Sequence, residues 1–198
     1  MNQYFEPSPS VPSDTKQITV RLVQPHLRLT TDRGVFSHGA LDPGTEFLLR
    51  QAPPPPASGV FLDIGCGTGA IALSMARRSP AARVVAIDVN ERARGLCAAN
   101  AAANDITTVE VDEPDGVPDD LRFDLIWSNP PIRIGKAALH EVLLRWLGRL
   151  ADGGSAVLVV HKHLGSDSLH KWLDAQGYPT QRIASSKGYR LLRVRPSS

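Results

Sequence analysis

The chain reads as an α/β protein: a seven-stranded, mostly parallel sheet with an antiparallel last strand, helices on both faces, and a small β-hairpin in front. Three observations predict this. From Gly59 onward, short apolar runs alternate with helical periodicities, as crossover connections in a parallel sheet require. The last two apolar runs are joined only through Ser185-Ser186-Lys187-Gly188, too short for a helical crossover, so they must pair antiparallel. A glycine-rich turn, Gly65-Cys66-Gly67-Thr68-Gly69, separates the first of these strands from the first helix.

Residues 1–16 are rich in Pro, Ser and polar side chains and are expected to form a flexible arm. Residues 17–58 are expected to form an extension. In it, segments 18–23 and 26–30 alternate apolar and polar residues around Gln24-Pro25, the pattern of an antiparallel hairpin. Asp42 then caps a helix with Pro43 at its first position, and the prolines at 53–56 end it as a stiff connector. Residues 59–198 are expected to be the main domain. Its predicted order is strand 60–64, helix 70–78 stopped before Pro80, strand 83–88, helix 91–103 with Asn104 as a left-handed end, and strands 107–111 and 123–127. Segment 136–150 is the clearest helix, since Leu139, Val142, Leu143, Trp146, Leu147 and Leu150 recur along one face. Strand 156–160, helix 168–175 ended by Gly177, and strands 180–184 and 189–194 complete the chain.

Composition bounds the function. Apolar content of 42% is that of an ordinary globular protein. No apolar run approaches the ~18 residues of a membrane span, and residues 1–15 lack the basic start and apolar stretch of a signal peptide. Cys66 and Cys97 are the only cysteines, too few for a disulfide framework, so a cytoplasmic location is expected. Net charge is only +2 but unevenly spread: acids crowd 110–124, whereas Arg182, Lys187, Arg190, Arg193 and Arg195 follow one another with no acid between. Clustered positive charge gathers phosphates; a solvated edge strand protected from aggregation is the alternative.

The glycines at 65, 67 and 69 allow a sharp turn and a close approach of backbone to ligand. The helix that follows offers free N–H groups to an anionic group. A dinucleotide would fit the pattern too, since Gly65 to Ala70 satisfies G-x-G-x-x-A and Asp88 stands about 20 residues on, placed for a ribose diol. Asp63 argues the other way: a carboxylate at the tip of the strand repels a pyrophosphate and welcomes a zwitterionic amino-acid tail or a sulfonium. Asn90 is the better-placed cap for the next helix, which leaves Asp88 for a ligand.

Asn129-Pro130-Pro131-Ile132 follows strand 123–127 and so falls at the carboxyl edge of the sheet, where open α/β folds bind ligands. An exocyclic amino group has its lone pair delocalised. Accepting its two N–H bonds with the Asn129 side-chain oxygen and the Pro130 carbonyl draws the nitrogen toward tetrahedral geometry, without a strong base. The adjacent Pro130 and Pro131 fix the backbone that carries these acceptors. His161-Lys162-His163 lies at the same edge; two His at this spacing with no third partner fall short of a metal site.

Asp63-x-Gly-x-Gly-x-Gly69 resembles the first motif of Rossmann-like class I S-adenosylmethionine-dependent methyltransferases, and Asp88-Val89-Asn90 the second. Asn129-Pro130-Pro131 resembles the motif of the members that methylate amino groups. The resemblance assigns Asp63, Gly65, Cys66, Gly67, Gly69, Asp88, Val89, Asn129 and an acid after the third main-sheet strand to S-adenosyl-L-methionine. Asp112, Glu113 and Asp115 compete for that last role, and Asp112 is the expected one. Many relatives carry Phe or Tyr where this chain has Ile132. Ile132 and Arg133 are the expected substrate contacts there, Arg133 through stacking or a phosphate.

Gly34-Val-Phe-Ser-His-Gly-Ala-Leu-Asp42 and, more loosely, Gly188-Tyr-Arg190 are similar to segments of bacterial ribosomal RNA guanine-N2 methyltransferases. This adds Phe36, Lys187 and Arg190 as expected substrate contacts. Those enzymes carry two similar domains, and this sequence matches the catalytic one. The expected function is methyl transfer to guanine N2 of ribosomal or other RNA. A protein glutamine amide, adenine, and a non-catalytic cofactor-binding module are the alternatives. A single domain has less surface for RNA, so dimerisation, a smaller substrate, or use of the basic C-terminal strand is expected. An RNA base would have to be unpaired or flipped.

Overall fold

The computed structural model describes residues 11–196. The expected arm lies outside the described residues over 1–10. From Val11 the chain is tied down: Arg92 donates to the Val11 carbonyl at 3.0 Å, and Ser13 Oγ and the Asp14 N–H donate to Asp32 at 2.8 and 2.6 Å. Strands β1 (Lys16–Val20) and β2 (Leu27–Thr31) form an antiparallel two-stranded sheet. The pairing stops at Val20↔Leu27, so the loop runs over 21–26 and is longer than the alternation suggested. Helix α1 (Pro43–Gln51) begins as expected, with the Asp42 carboxylate accepting from the Thr45 N–H at 2.8 Å.

The main sheet contains β3 (Ser58–Ile64), β4 (Ala81–Ile87), β5 (Val109–Asp112), β6 (Phe123–Ser128), β7 (Leu150–His161), β8 (Thr180–Ser186) and β9 (Tyr189–Val194). Their order is β5-β4-β3-β6-β7-β9-β8. The five from β5 to β7 are parallel, and β9 runs antiparallel to both of its neighbours. Helices α2 (Ala70–Arg78), α3 (Glu91–Ala103), α4 (Lys136–Leu147) and α5 (Ser166–Ala175) supply the crossovers. The chain order reverses between β3 and β6, which opens a crevice at their carboxyl ends.

Two apolar layers sandwich the sheet. One joins Leu73, Met75, Phe61 and Trp127 to Leu27, Leu29 and Leu48 of the hairpin and α1, so the N-terminal elements share the core of the main sheet. The other packs Leu143, Trp146, Leu147 and Leu173 against Leu62, Ile126 and Leu158. No helix among the described residues is long and apolar enough to cross a membrane.

Several expected boundaries move. Helix α4 ends at Leu147, and Leu150 instead opens β7 opposite Phe123, buried in the same apolar layer as the helix face it seemed to extend. Strand β7 therefore starts before Gly153-Gly154, and its register against β6 shifts between Phe123 and Leu125. After α3 the left-handed residue is Asp105, with φ 55°, while Asn104 stays at φ −112°. The β8–β9 link is tighter than expected: Lys187 and Gly188, with φ 48° and 85°, make a two-residue hairpin turn.

Candidate functional site

The β3 and β6 register places Ile64 beside Ser128, and the Ser128 hydroxyl donates to the Ile64 carbonyl at 2.7 Å. Gly65 and Asn129, the next residue of each strand's exit, therefore leave the sheet side by side. They open onto one cavity of about 920 Å³, with Gly65, Gly67, Asp88 and Val89 on one wall and Asn129 to Ile134 on the other. Phe36, Val89 and Leu164 are exposed large apolar residues, and all three face this space.

On the glycine side, the Gly65 and Cys66 N–H groups both donate to the Ile87 carbonyl at 2.9 Å, which pins the loop to β4. The Asp88 carboxylate accepts from the Gly67 N–H and the Asn90 N–H, both at 2.9 Å. Burial holds its carboxyl above the usual range. Gly67, at φ +53°, has nothing within 4 Å of where a Cβ would sit, so the loop leaves room for a ligand there. Gly69 serves packing: a Cβ on it would come within 2.7 Å of Cys97 Sγ and of Leu73 Cδ1.

Several expected cofactor contacts lie off the cavity wall. Asp63 is fully buried, with Oδ2 accepting the Ala72 N–H at 3.0 Å and Oδ1 without a partner among the described residues. Burial, with the neighbouring Asp88 charge adding to it, pushes its carboxyl up to about 8. Asp63 thus braces the first turn of α2 and does not line the space. Cys66 and Gly69 are also absent from the lining, Cys66 buried behind the loop. So is Asp112, whose carboxylate turns back onto its own chain, accepts the Glu113 N–H at 2.8 Å and lies against Gly116. Glu113 and Asp115 line the cavity in its place, Asp115 held by Arg145 at 2.7 Å.

On the opposite wall, the Asn129 amide nitrogen donates to Asp42 Oδ2 at 2.7 Å and to Thr45 Oγ1 at 3.1 Å. A carboxylate only accepts, so the NH₂ group must face Asp42 and the amide oxygen is what Asn129 can offer the cavity. The Pro130 carbonyl already accepts the Ile132 N–H at 2.8 Å, which orients it and uses one of its two lone pairs. Ile132, Arg133 and Phe36 all line the cavity. So do His161 and Tyr189, whose rings meet edge to face at 4.8 Å. Tyr189 also packs on the first turn of α1, close enough that a Cβ at Gly44 would approach its ring at 2.8 Å. Burial and the Asp42 charge both raise its phenol.

Lys187 and Arg190 sit outside the cavity, on a neighbouring groove, and Arg190 is ion-paired with Asp167. Nothing in the sequence signals that Asp42 and Thr45 reach the site, although the cap Asp42-Pro43-Gly44-Thr45 is readable; their partner Asn129 is far away in the chain. Among the described residues no group of three or more His, Cys, Asp or Glu is placed to hold a metal ion.

A sequence model of the family described as methyltransferase small domain matches residues 26–193. The Bacillus subtilis protein YbxB is 33% identical over 195 residues, which cover 97% of each chain. Ribosomal RNA small subunit methyltransferase C of Pseudomonas aeruginosa is 32% identical over 197 residues, which cover 96% of this chain and 57% of that protein. Among solved structures, the T. thermophilus 16S rRNA guanine-N2 methyltransferase RsmC, in complex with AdoMet and guanosine, superposes with a TM-score of 0.79 at 25% identity. It covers 95% of this chain and 52% of its own. The chain thus spans nearly all of YbxB and little more than half the length of the ribosomal RNA enzymes.

Proposed function

Because the chain belongs to the methyltransferase small-domain family, we propose that it transfers a methyl group from S-adenosylmethionine to the exocyclic N2 amino group of a guanine in ribosomal RNA. One observation carries this reading. The glycine loop and Asn129 open onto a single cavity, and Asn129 has its amide nitrogen engaged by Asp42 and Thr45.

The glycine side fits the cofactor. Gly67 leaves open space at the loop, Asp88 presents a carboxylate for a ribose diol, and Val89 offers an exposed apolar face for adenine. Glu113 and Asp115 line the cavity and Asp112 does not, which supports one of the former two as the residue for the adenine amino group. S-adenosylmethionine, when bound, supplies an electrophilic methyl carried on a sulfonium.

The chain's own residues then act on the acceptor. Asn129 Oδ1 and the remaining lone pair of the Pro130 carbonyl accept the two N–H bonds of the amino group. This draws its lone pair out of conjugation and aims it. Asp42 and Thr45 hold the amide so that its orientation is set before substrate arrives, and Pro130 and Pro131 stiffen the backbone. The acceptor proton leaves to water once the nitrogen carries the new methyl. That Phe36, Ile132 and Arg133 line the cavity supports their role as contacts to the base. The resemblance to the T. thermophilus enzyme in complex with AdoMet and guanosine supports guanine as the target.

Methyl-labelled S-adenosylmethionine incubated with the purified chain and 16S rRNA, followed by nucleoside analysis, tests the reading. Label in N2-methylguanosine, lost in Asn129→Ala while cofactor binding persists, is the expected result. Label in adenine or in protein glutamine would overturn the target. No cofactor binding at all would overturn the enzyme.

A further inference from the structure

On the far side of Tyr189 from the cavity lies a second, shallower groove of about 430 Å³. Tyr189 lines both spaces, so a chain leaving the cavity past this ring enters the groove. Its walls carry Lys162, Arg182, Lys187 and Arg190 together with the hydroxyls of Ser185 and Ser186. Among the described residues, Lys162, Arg182 and Lys187 are in no ion pair; only Arg190 is engaged, with Asp167. No acid follows Asp174 in the sequence. A free cation cluster of this kind binds anions; a protective edge would need only scattered charges.

The groove is also built on paired backbone. Strand β9 is hydrogen-bonded on both sides, Ser185 and Ser186 face Arg190 and Tyr189 across the β8–β9 ladder, and the Lys162 N–H donates to the Gly188 carbonyl at 2.8 Å. Cations and hydroxyls carried on a paired ladder are the groups that meet the phosphates of a nucleic-acid strand. We propose that this groove is the phosphate-binding subsite for the single-stranded RNA segment adjoining the target nucleotide, with Lys162, Arg182 and Lys187 as its cations. The inference rests on the RNA reading above and adds where the strand runs: out of the cavity, across Tyr189, and along the β8–β9 hairpin.

Fluorescence anisotropy with a labelled single-stranded oligoribonucleotide containing guanine tests it, comparing the intact chain with Arg182→Ala/Lys187→Ala over a salt series. Calorimetric titration with S-adenosylmethionine serves as the control for folding. The double variant should bind the RNA roughly tenfold more weakly. Its plot of log affinity against log salt should be shallower by about 1.4, two phosphate contacts at ~0.7 each. Its cofactor affinity should match that of the intact chain. Unchanged affinity and slope would overturn the groove while leaving the RNA substrate standing. Failure of the unsubstituted chain to bind RNA at all would instead overturn the RNA reading. Equal competition by polyglutamate would assign the groove to acidic protein and likewise overturn the proposal.

Discussion

Asp42 Oδ2 accepts from both the Thr45 N–H and the Asn129 amide, so one carboxylate oxygen caps α1 and fixes the side chain proposed to hold the acceptor nitrogen. The two roles separate by substitution. Thr45→Val keeps the cap and removes one of the two restraints on Asn129; kcat for methyl transfer should fall roughly fivefold, about 1 kcal/mol, with thermal stability nearly unchanged. Asp42→Ala should lower kcat further and also cost about 1 kcal/mol of stability through the lost cap. Parallel kinetics and thermal melts check both. Asp63 makes a different prediction. Its carboxyl, ordinarily at 3.8, stands at about 8 when folded. Between these values the unfolded chain is ionised while the native state keeps the proton. The contribution of Asp63 to stability is therefore full below 3.8 and is lost as pH rises toward 8, at up to ~1.4 kcal/mol per pH unit. Denaturant unfolding across this window should show Asp63→Asn falling less steeply than the unsubstituted chain; parallel curves would remove the buried proton. Both aspartates were conspicuous in the sequence, but their partners were not. Asp42 was readable only as a cap because Asn129 lies in another element. Asp63 reads as a ligand residue because nothing in the sequence shows that the Ala72 N–H reaches it.

The turn between β3 and α2 shows at element scale how one motif divides its work. Gly67 and Gly69 both have positive φ, 53° and 87°, yet only Gly69 is hemmed in, by Cys97 and Leu73. Gly67→Ala should therefore keep the fold at a cost of about 1 kcal/mol and weaken S-adenosylmethionine binding. Gly69→Ala should cost about 3 kcal/mol, visible as a lower urea midpoint, since strain and collision combine. Equal effects of the two on both measurements would mean that the loop does not divide in this way. The strand–helix alternation around this turn was legible because each element carries its own periodicity. Element ends were less so, for a physical reason. Leu150 continues the apolar face of α4 in sequence and is buried in the same layer, but it does so from β7, so periodicity alone cannot mark where Gly148 breaks the helix. The order β7-β9-β8 followed only in part: the short link required antiparallel pairing of the last two strands, but not that β9 would insert beside β7.

At the scale of the whole molecule, the N-terminal hairpin and the main sheet are joined by side chains acting in place of a strand. Asn100 on α3 and Asn104 at its C-terminal cap, four residues apart, each accept from and donate to the free edge of β2. Asn104 engages the Arg28 N–H and carbonyl at 3.0 and 2.8 Å, and Asn100 engages those of Thr30 at 2.8 and 2.9 Å. Asn100 also donates to the Thr68 carbonyl at 2.9 Å, inside the glycine loop. The hairpin is thereby coupled to the cofactor wall, and its apolar face is buried in the same layer as Trp127. Hairpin and sheet should consequently unfold together, although the sequence pattern sets residues 17–58 apart as an extension. Trp127 reports on the hairpin-side layer and Trp146 on the opposite one, so fluorescence and far-UV circular dichroism should give coincident urea transitions. Asn100→Ala would leave the Thr30 N–H, the Thr30 carbonyl and the Thr68 carbonyl without this partner. It should lower stability by about 3 kcal/mol with an unchanged dependence on urea, and also weaken S-adenosylmethionine binding. Asn104→Ala, which touches β2 but not the loop, should lower stability and leave cofactor affinity as it was. A hairpin that melts in a separate, earlier transition, or two variants equal in cofactor affinity, would show that the amide pair fastens the hairpin without reaching the site.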